Sequence, residues 1–467
     1  MPERRRREKP LHRSSAKTLR RLDQAIEALI LALTVYLPLA FGGTPLPAHA
    51  PAMIAAMALL ALVAYRAALD VNKQPTGALS MVLPSLVLGA LFLIFIGSDV
   101  VPVPRPLARF FAFRGIVGEG WLVPRHFAPI EAWRELLSWV VPFALFLAVV
   151  TTYRTRSQVR RLLQVVAVVG LFEAGYGLVE WVSGHQHIFG FEKRAYVDVA
   201  TGTFINRNHY AGYLEMTIGL LFGGLFVTYA KEKSALGLRT GGTEHLLALG
   251  FAIVLCLGAI VASGSRAAIA SLAFAMALVG ATLVSHRQRR NFVFVIAALS
   301  FVAVLFSMWL GTDELPARYA ELTQDVRAGD ARPRVYLATL KMIADAPFYG
   351  VGAGGFADAF AFYRPAGLLA HYDYVHSDPL EILAETGLFG ASALYGAIAF
   401  ALIVVIRERA KRHSRFARGQ SLGLLISAAA LLAHSLVDFP FGIPATRAAF
   451  FTLLAAGVVV VQRRLER

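Results

Sequence analysis

Long apolar stretches recur along this chain from residue 22 to its end. A run of about 18 or more apolar residues can satisfy its backbone inside a bilayer only as a helix. The pattern therefore predicts an all-α integral membrane protein, and 57% apolar against 16% charged residues agrees with it. Twelve spans are expected, at about 24–42, 50–67, 79–97, 136–152, 162–183, 209–230, 246–263, 267–285, 292–311, 380–406, 420–437 and 445–461.

The net charge of +16 fits nucleic acid or anionic lipid less well than it fits loop charges that record membrane orientation. With the N-terminus inside, 30 of the 46 Lys and Arg fall on the inner side and 16 on the outer. Without the long 312–380 loop the ratio is 30 to 10, so both termini are expected to be cytoplasmic. The basic segment 1–23 then reads as a tail before a retained first span. Spans one to five occupy 24–200, a core follows over 201–447 with its large outer loop at 312–379, and the last span and a basic tail lie in 445–467. The outer segment 98–135, rich in Pro, Arg and aromatic residues, is expected along the interface. Cys256 is alone, which excludes an intrachain disulfide and a cysteine-based metal site. No internal repeat is visible, which weighs against the repeat-built transporters.

The stretch "PFYGVGAGGF" spells G-x-G-x-x-G at Gly350, Gly352 and Gly355. A dinucleotide loop needs a strand before it and a βαβ unit around it. Here "PRVYLATLKMIADAP" precedes it and reads as an amphipathic helix. The glycines are better explained as a tight turn that brings amides to a ligand or folds the loop back on itself.

Five outer segments carry residues capable of chemistry. "YVHSDPLEILAETGLFG" places His376 before a helix start at Asp378, Pro379 and Glu381, where capping explains the acids. "ASGSRAAIASL" puts Arg266 between two spans, as an interface anchor or a ligand-facing charge. Arg334 lies on the loop helix with Lys341 and Asp345. "TGTFINRNHYAGYLEM" caps a span with Asn206, Arg207, Asn208 and His209, and Tyr210 and Tyr213 suit the aromatic belt. "AHSLVDFPFGIPA" sets His434 and Asp438 at i and i+4, the spacing of a helix-terminal pair. Together these put several Arg beside a His on one side of the membrane, with no obvious metal ligands. Arg forks bind phosphate, so the cluster points to phosphate chemistry without a metal.

"GTFINRNHYAGYLEM", "SGSRAA", "RVYLATLKMIADAPFYGVGAGGF", "HSDPLEILAETGLFG" and "HSLVDFPFGIPA" resemble, in this order, the signatures of the O-antigen ligase superfamily. That superfamily includes lipopolysaccharide O-antigen ligases and polysaccharide polymerases. The resemblance implies a twelve-span fold of the membrane glycosyltransferase C type in a bacterial inner membrane, with the large loop over a periplasmic active site. It implies an inverting transfer of glycan from undecaprenyl pyrophosphate to an acceptor hydroxyl on a glycan or lipid, in O-antigen or exopolysaccharide assembly. Neither ATP, metal nor another cofactor is implied. The family's essential arginines and histidine match Arg266, Arg334 and His376. Arg207, Asn208, His209, Glu381, His434 and Asp438 are the expected substrate-binding shell. The chain departs from many relatives in its His-Ser-Asp-Pro, and ligase and polymerase both remain open. A lipid-linked glycan flippase or other polysaccharide transporter is the alternative function; a non-catalytic assembly subunit is a third.

Overall fold

In a computed structural model, nearly every apolar stretch is a helix, because inside hydrocarbon a helix alone satisfies a single segment's N–H and C=O groups. The structure describes residues 9–70, 76–111, 114, 119–124, 128–232, 240–283, 331–368 and 371–462. The expected span at 292–311 and the loop residues 312–330 lie outside these. The helices are α1 (Lys9–Leu39), α2 (Leu46–Leu69), α3 (Gly77–Met81), α4 (Leu83–Gly97), α5 (Arg105–Phe111), α6 (Pro129–Thr152), α7 (Arg156–Ser183), α8 (Arg207–Glu232), α9 (Thr240–Ser263) and α10 (Arg266–Leu283). Beyond the gap follow α11 (Arg332–Asp345), α12 (Phe356–Phe360), α13 (Asp378–Ala410), α14 (Arg415–His434) and α15 (Pro444–Val460). The strands among the described residues form two short antiparallel hairpins, Val103–Pro104 with Leu122–Val123 and His187–Ile188 with Phe191–Glu192.

Among the described residues, eight helices are long and apolar enough to cross a membrane, and three shorter apolar helices accompany them. The span expected at 79–97 is broken at Val82 into α3 and α4, next to Pro84, which lacks a donor for an unbroken ladder. The span expected from 136 begins at Pro129 instead, with Pro at its first position and Glu131 in its first turn.

The tightest contact in the bundle joins α8 to α14. Gly219 and Gly223 on one helix meet Gly419 and Gly423 on the other, the small-xxx-small spacing that lets backbones approach. A Cβ at Gly423 would lie 2.5 Å from the Gly219 carbonyl oxygen. Ser427 Oγ donates to the Met216 carbonyl at 2.6 Å and fixes the register. This register sets the first turns of α8 against the end of α14. Tyr210 and Tyr213 do not face an aromatic belt: both are fully buried, and the Tyr210 hydroxyl donates to the Glu173 carbonyl at 3.2 Å.

A small second core, including Val335, Met342, Val351, Phe356, Phe360 and Val375, covers the start of α13. The glycine stretch fastens it. Val351 N and Gly352 N donate to the Ala384 and Glu385 carbonyls at 2.8 and 2.9 Å, and Leu388 N donates back to the Pro347 carbonyl at 2.8 Å. α13 opens its ladder at Gly387 to allow this (φ 59°, ψ −167°). The loop is thus folded back on a helix. Two carboxylates, one buried and one half-buried, hold its far side: Asp99 accepts from Ala353 N at 3.1 Å and Glu385 from Phe356 N at 3.1 Å. Gly350 has φ +71°, and a Cβ there would sit 2.2 Å from the Glu385 carbonyl oxygen. Gly350→Ala is expected to destabilise the lobe by at least about 1–2 kcal/mol from the left-handed backbone alone, seen as earlier proteolysis between 331 and 377.

Candidate active site

His376 lies at the rim where the lobe meets the bundle. Its backbone is left-handed (φ 61°), a strained state for a non-glycine residue that persists only when neighbours impose it. One such neighbour is Tyr336, whose hydroxyl donates to the His376 carbonyl at 2.7 Å. Asp378 does not cap α13 as its sequence position suggests. Ser377 is the cap residue, and Asp378 Oδ2 instead accepts from Phe441 N at 2.9 Å, across to the turn after α14. Glu381 reaches back to accept from Val375 N at 2.9 Å. The expected substrate-binding Glu381 is therefore engaged in holding the segment that carries His376.

Beside His376 is Asp438, 1% exposed. The His376 Nδ1 and the His209 Nε2 both lie 3.9 Å from Asp438 Oδ1. That is beyond hydrogen-bond reach, and both nitrogens are buried without a partner. Catalytic hydrogen bonds are often long before substrate arrives. Asn208 Nδ2 donates to Asp438 Oδ2 at 2.5 Å, and Phe439 N to Oδ1 at 2.8 Å. Burial alone would push the Asp438 carboxyl up. The imidazoles of His376, His209 and His434 and the Phe439 N–H outweigh it and hold the group well below the usual carboxylate range. Asp438 is thus an ionised acceptor facing His376. The Phe439 ring separates the imidazoles, with His209 and His376 edge-on to it at 4.5 and 5.0 Å and Tyr374 stacked at 4.2 Å.

Three arginines stand at the same end of the bundle, each as the first residue of a helix: Arg207 of α8, Arg266 of α10 and Arg332 of α11. A cation there opposes the helix dipole and costs about 0.3–1 kcal/mol, so local helix stability does not account for it. Arg156 and Arg415 also open helices, but at the opposite end, where most of the sequence's Lys and Arg fall. Asn206 caps α8, accepting from Asn208 N at 2.8 Å, and Ser265 caps α10, accepting from Ala268 N at 3.4 Å. Arg207 packs its guanidinium 5.7 Å over the Tyr196 ring, and its Nε is buried without a partner. Burial and Asp438 push the Tyr196 hydroxyl up, while Arg207 and Arg332 act against them. Tyr196 is therefore within electrostatic reach of Asp438 and of both arginines. Ala200 N, from the same loop, donates to the Ala262 carbonyl at 3.1 Å and joins this group to the α9–α10 turn that presents Arg266.

Arg334 lies differently. Arg332 and Tyr336, at i and i+4, share the face of α11 that meets His376. Arg334 is two residues on, roughly 200° around the helix, and is exposed. The arginine expected in the pocket at 334 is replaced on that face by Arg332. Its legible signal was its place at a helix start, as with Arg207 and Arg266.

His434 and Asp438 do not form the side-chain pair that their spacing suggested. The helix ends at His434, whose Nδ1 lies 3.0 Å from Glu215 Oε1 on α8. Glu215 was hidden within "YAGYLEM", where nothing marks it off from an ordinary span. Among the described residues no three His, Cys, Asp or Glu side chains are placed to hold a metal ion.

Residues 251–395 match the family model of O-antigen ligase. Over this segment the chain is similar to the O-antigen ligase family. The matched segment runs from within α9 into α13 and contains Arg266, Arg332, Arg334, His376 and Glu381. Arg207, Asn208, His209, His434 and Asp438 lie outside the matched segment. No curated protein matches the chain.

Proposed function

We propose that the chain is a polysaccharide ligase or polymerase that transfers a glycan from undecaprenyl pyrophosphate to an acceptor hydroxyl at the periplasmic face of the inner membrane. The observation that supports this reading is His376 beside buried Asp438 at the end of the bundle where arginines open helices against the dipole. Twelve spans, a fold of the membrane glycosyltransferase C type, and independence from ATP and metal belong to the same proposal.

The donor diphosphate lies against Arg207, Arg266 and Arg332. Their positive charge stabilises the oxygens that gain charge as the bond from the anomeric carbon to phosphate breaks. The acceptor hydroxyl oxygen attacks that carbon from the opposite side and inverts it. With the His376 Nδ1 proton directed at Asp438, Nε2 is left as the acceptor for the hydroxyl proton. The leaving group remains the diphosphate on its lipid carrier.

The test is transfer by the purified chain in detergent, given a lipid-linked glycan and an acceptor. Elongated or capped product without membrane compartments is expected. Absence of transfer in detergent, together with movement of the lipid-linked glycan across vesicle bilayers, would assign the chain to transport instead. A deletion strain separates the two chemistries: single units still attached indicate a polymerase, and no units attached indicate a ligase.

A further inference from the structure

Glu215 is an intramembrane carboxylate with 0% exposure, two turns down α8 from Arg207. Such a group is expensive unless paired and is more often functional than structural. Its partners come from two other helices. Ser271 Oγ on α10 lies 2.9 Å from Oε1, but the same hydroxyl lies 2.8 Å from the Ala267 carbonyl, and one O–H cannot serve both. His434 Nδ1 on α14 lies 3.0 Å from that oxygen, within ion-pair distance though not aligned for a hydrogen bond. His434 Nε2 is buried without a partner, and its ring acts electrostatically on Asp438 at the start of the next turn of chain. One imidazole thus pairs with one buried carboxylate and lies one helical turn from a second, Asp438, whose N–H donates to the His434 carbonyl at 3.1 Å and whose carboxylate faces His376.

We propose that Glu215 and His434 are a buried positioning pair: Glu215 keeps His434 cationic, and that cation keeps Asp438 ionised as the acceptor that orients His376. The inference rests on the transfer reading above and deepens it. His434 holds its proton throughout, Asp438 accepts from His376 Nδ1–H, and the acceptor's proton goes to Nε2. The other groups facing Asp438 are Asn208 and His209 from α8, Asp378 from α13, and Tyr196 from the adjoining loop.

Glu215→Gln removes the anion that holds the His434 proton. Asp438 then loses its cationic neighbour, and the protonated form of His376 faces a less compensated carboxylate. The acid limb of the pH profile of kcat is expected to move upward by on the order of one pH unit. Along that limb each pH unit changes the fraction of free base about tenfold, so kcat at neutral pH falls about tenfold, while KM for the donor stays put. Glu215→Asp restores part of the loss, and Ser271→Ala leaves the limb in place. The second readout needs no activity: histidine-selective ¹⁵N NMR of the full chain in nanodiscs, with His434 assigned by its absence in His434→Gln. In the wild type this imidazole is expected to stay doubly protonated at pH 8. A neutral His434 there, or an unmoved acid limb in folded Glu215→Gln, overturns the proposal. Should Glu215→Gln not fold, the wild-type spectrum decides. Normal transfer with a neutral His434 defeats this inference alone. A cationic His434 in a chain that transfers nothing defeats the transfer reading and leaves the pair standing.

Discussion

Arg332→Ala is expected to lower the proposed glycan transfer by about 100–1,000-fold, the usual cost of removing one charge-stabilising contact from a water-poor site, while Arg334→Ala is expected to stay close to wild type. The two positions are two residues apart, and a helix separates them by roughly 200°. Arg332 shares a face with Tyr336, which touches the His376 carbonyl. Arg334 is exposed, and surface changes away from such contacts are usually within about 0.5 kcal/mol. Arg266→Ala should fall with Arg332→Ala, and the loss in both should appear in kcat more than in KM, since the charge they answer develops as the bond breaks. The measurement is initial rate against donor concentration for the three purified variants, each first checked for insertion. Equal activity of Arg332→Ala and Arg334→Ala would remove α11 from the mechanism. Full activity of Arg266→Ala would remove the diphosphate cradle.

Arg447→Ala is expected to cost about 3 kcal/mol of stability, the lower part of the range for breaking a buried ion pair by deleting one partner. Arg447 is 1% exposed. Its Nη1 lies 3.0 Å from Glu135 on α6, its Nη2 meets Ser138 Oγ, and its guanidinium stacks 4.2 Å over Trp139. The lower part of the range applies because the Glu135 side chain keeps 29% of its exposure and can recover some solvation. Arg447→Lys should recover little, because an ammonium keeps the charge but loses both the fork and the stacking. Thermal unfolding in detergent reads the difference, and a melting temperature unchanged in Arg447→Ala would show the pair to be dispensable. The pair also reaches the site. It joins α15 to α6 beside the turn whose Phe441 N is held by Asp378, so the variant's remaining activity should fall faster with temperature than its bulk fold does.

The helices of this protein were readable because a bilayer leaves a single apolar segment one way to satisfy its backbone, and Pro, Asn, Ser or Thr marks where many of them start. Gly350 and Gly387 were readable as glycines but not as partners. Their meeting joins residues 37 apart in the chain through backbone contacts that carry no side-chain signature. Glu215, Glu135 and Arg332 escaped for a related reason. Burial and ion pairing depend on which helix lies opposite, and one apolar span looks like another until packing selects the neighbour. Tyr210 and Tyr213 were misplaced by the same ambiguity, since a tyrosine near a span's end suits either the interface or a buried hydrogen bond. Length, hydropathy and local start signals are properties of one segment and can be read in order along the chain. The site is a property of α8, α10, α11, α13 and α14 together, and its distances exist only once glycine contacts have brought those helices into register.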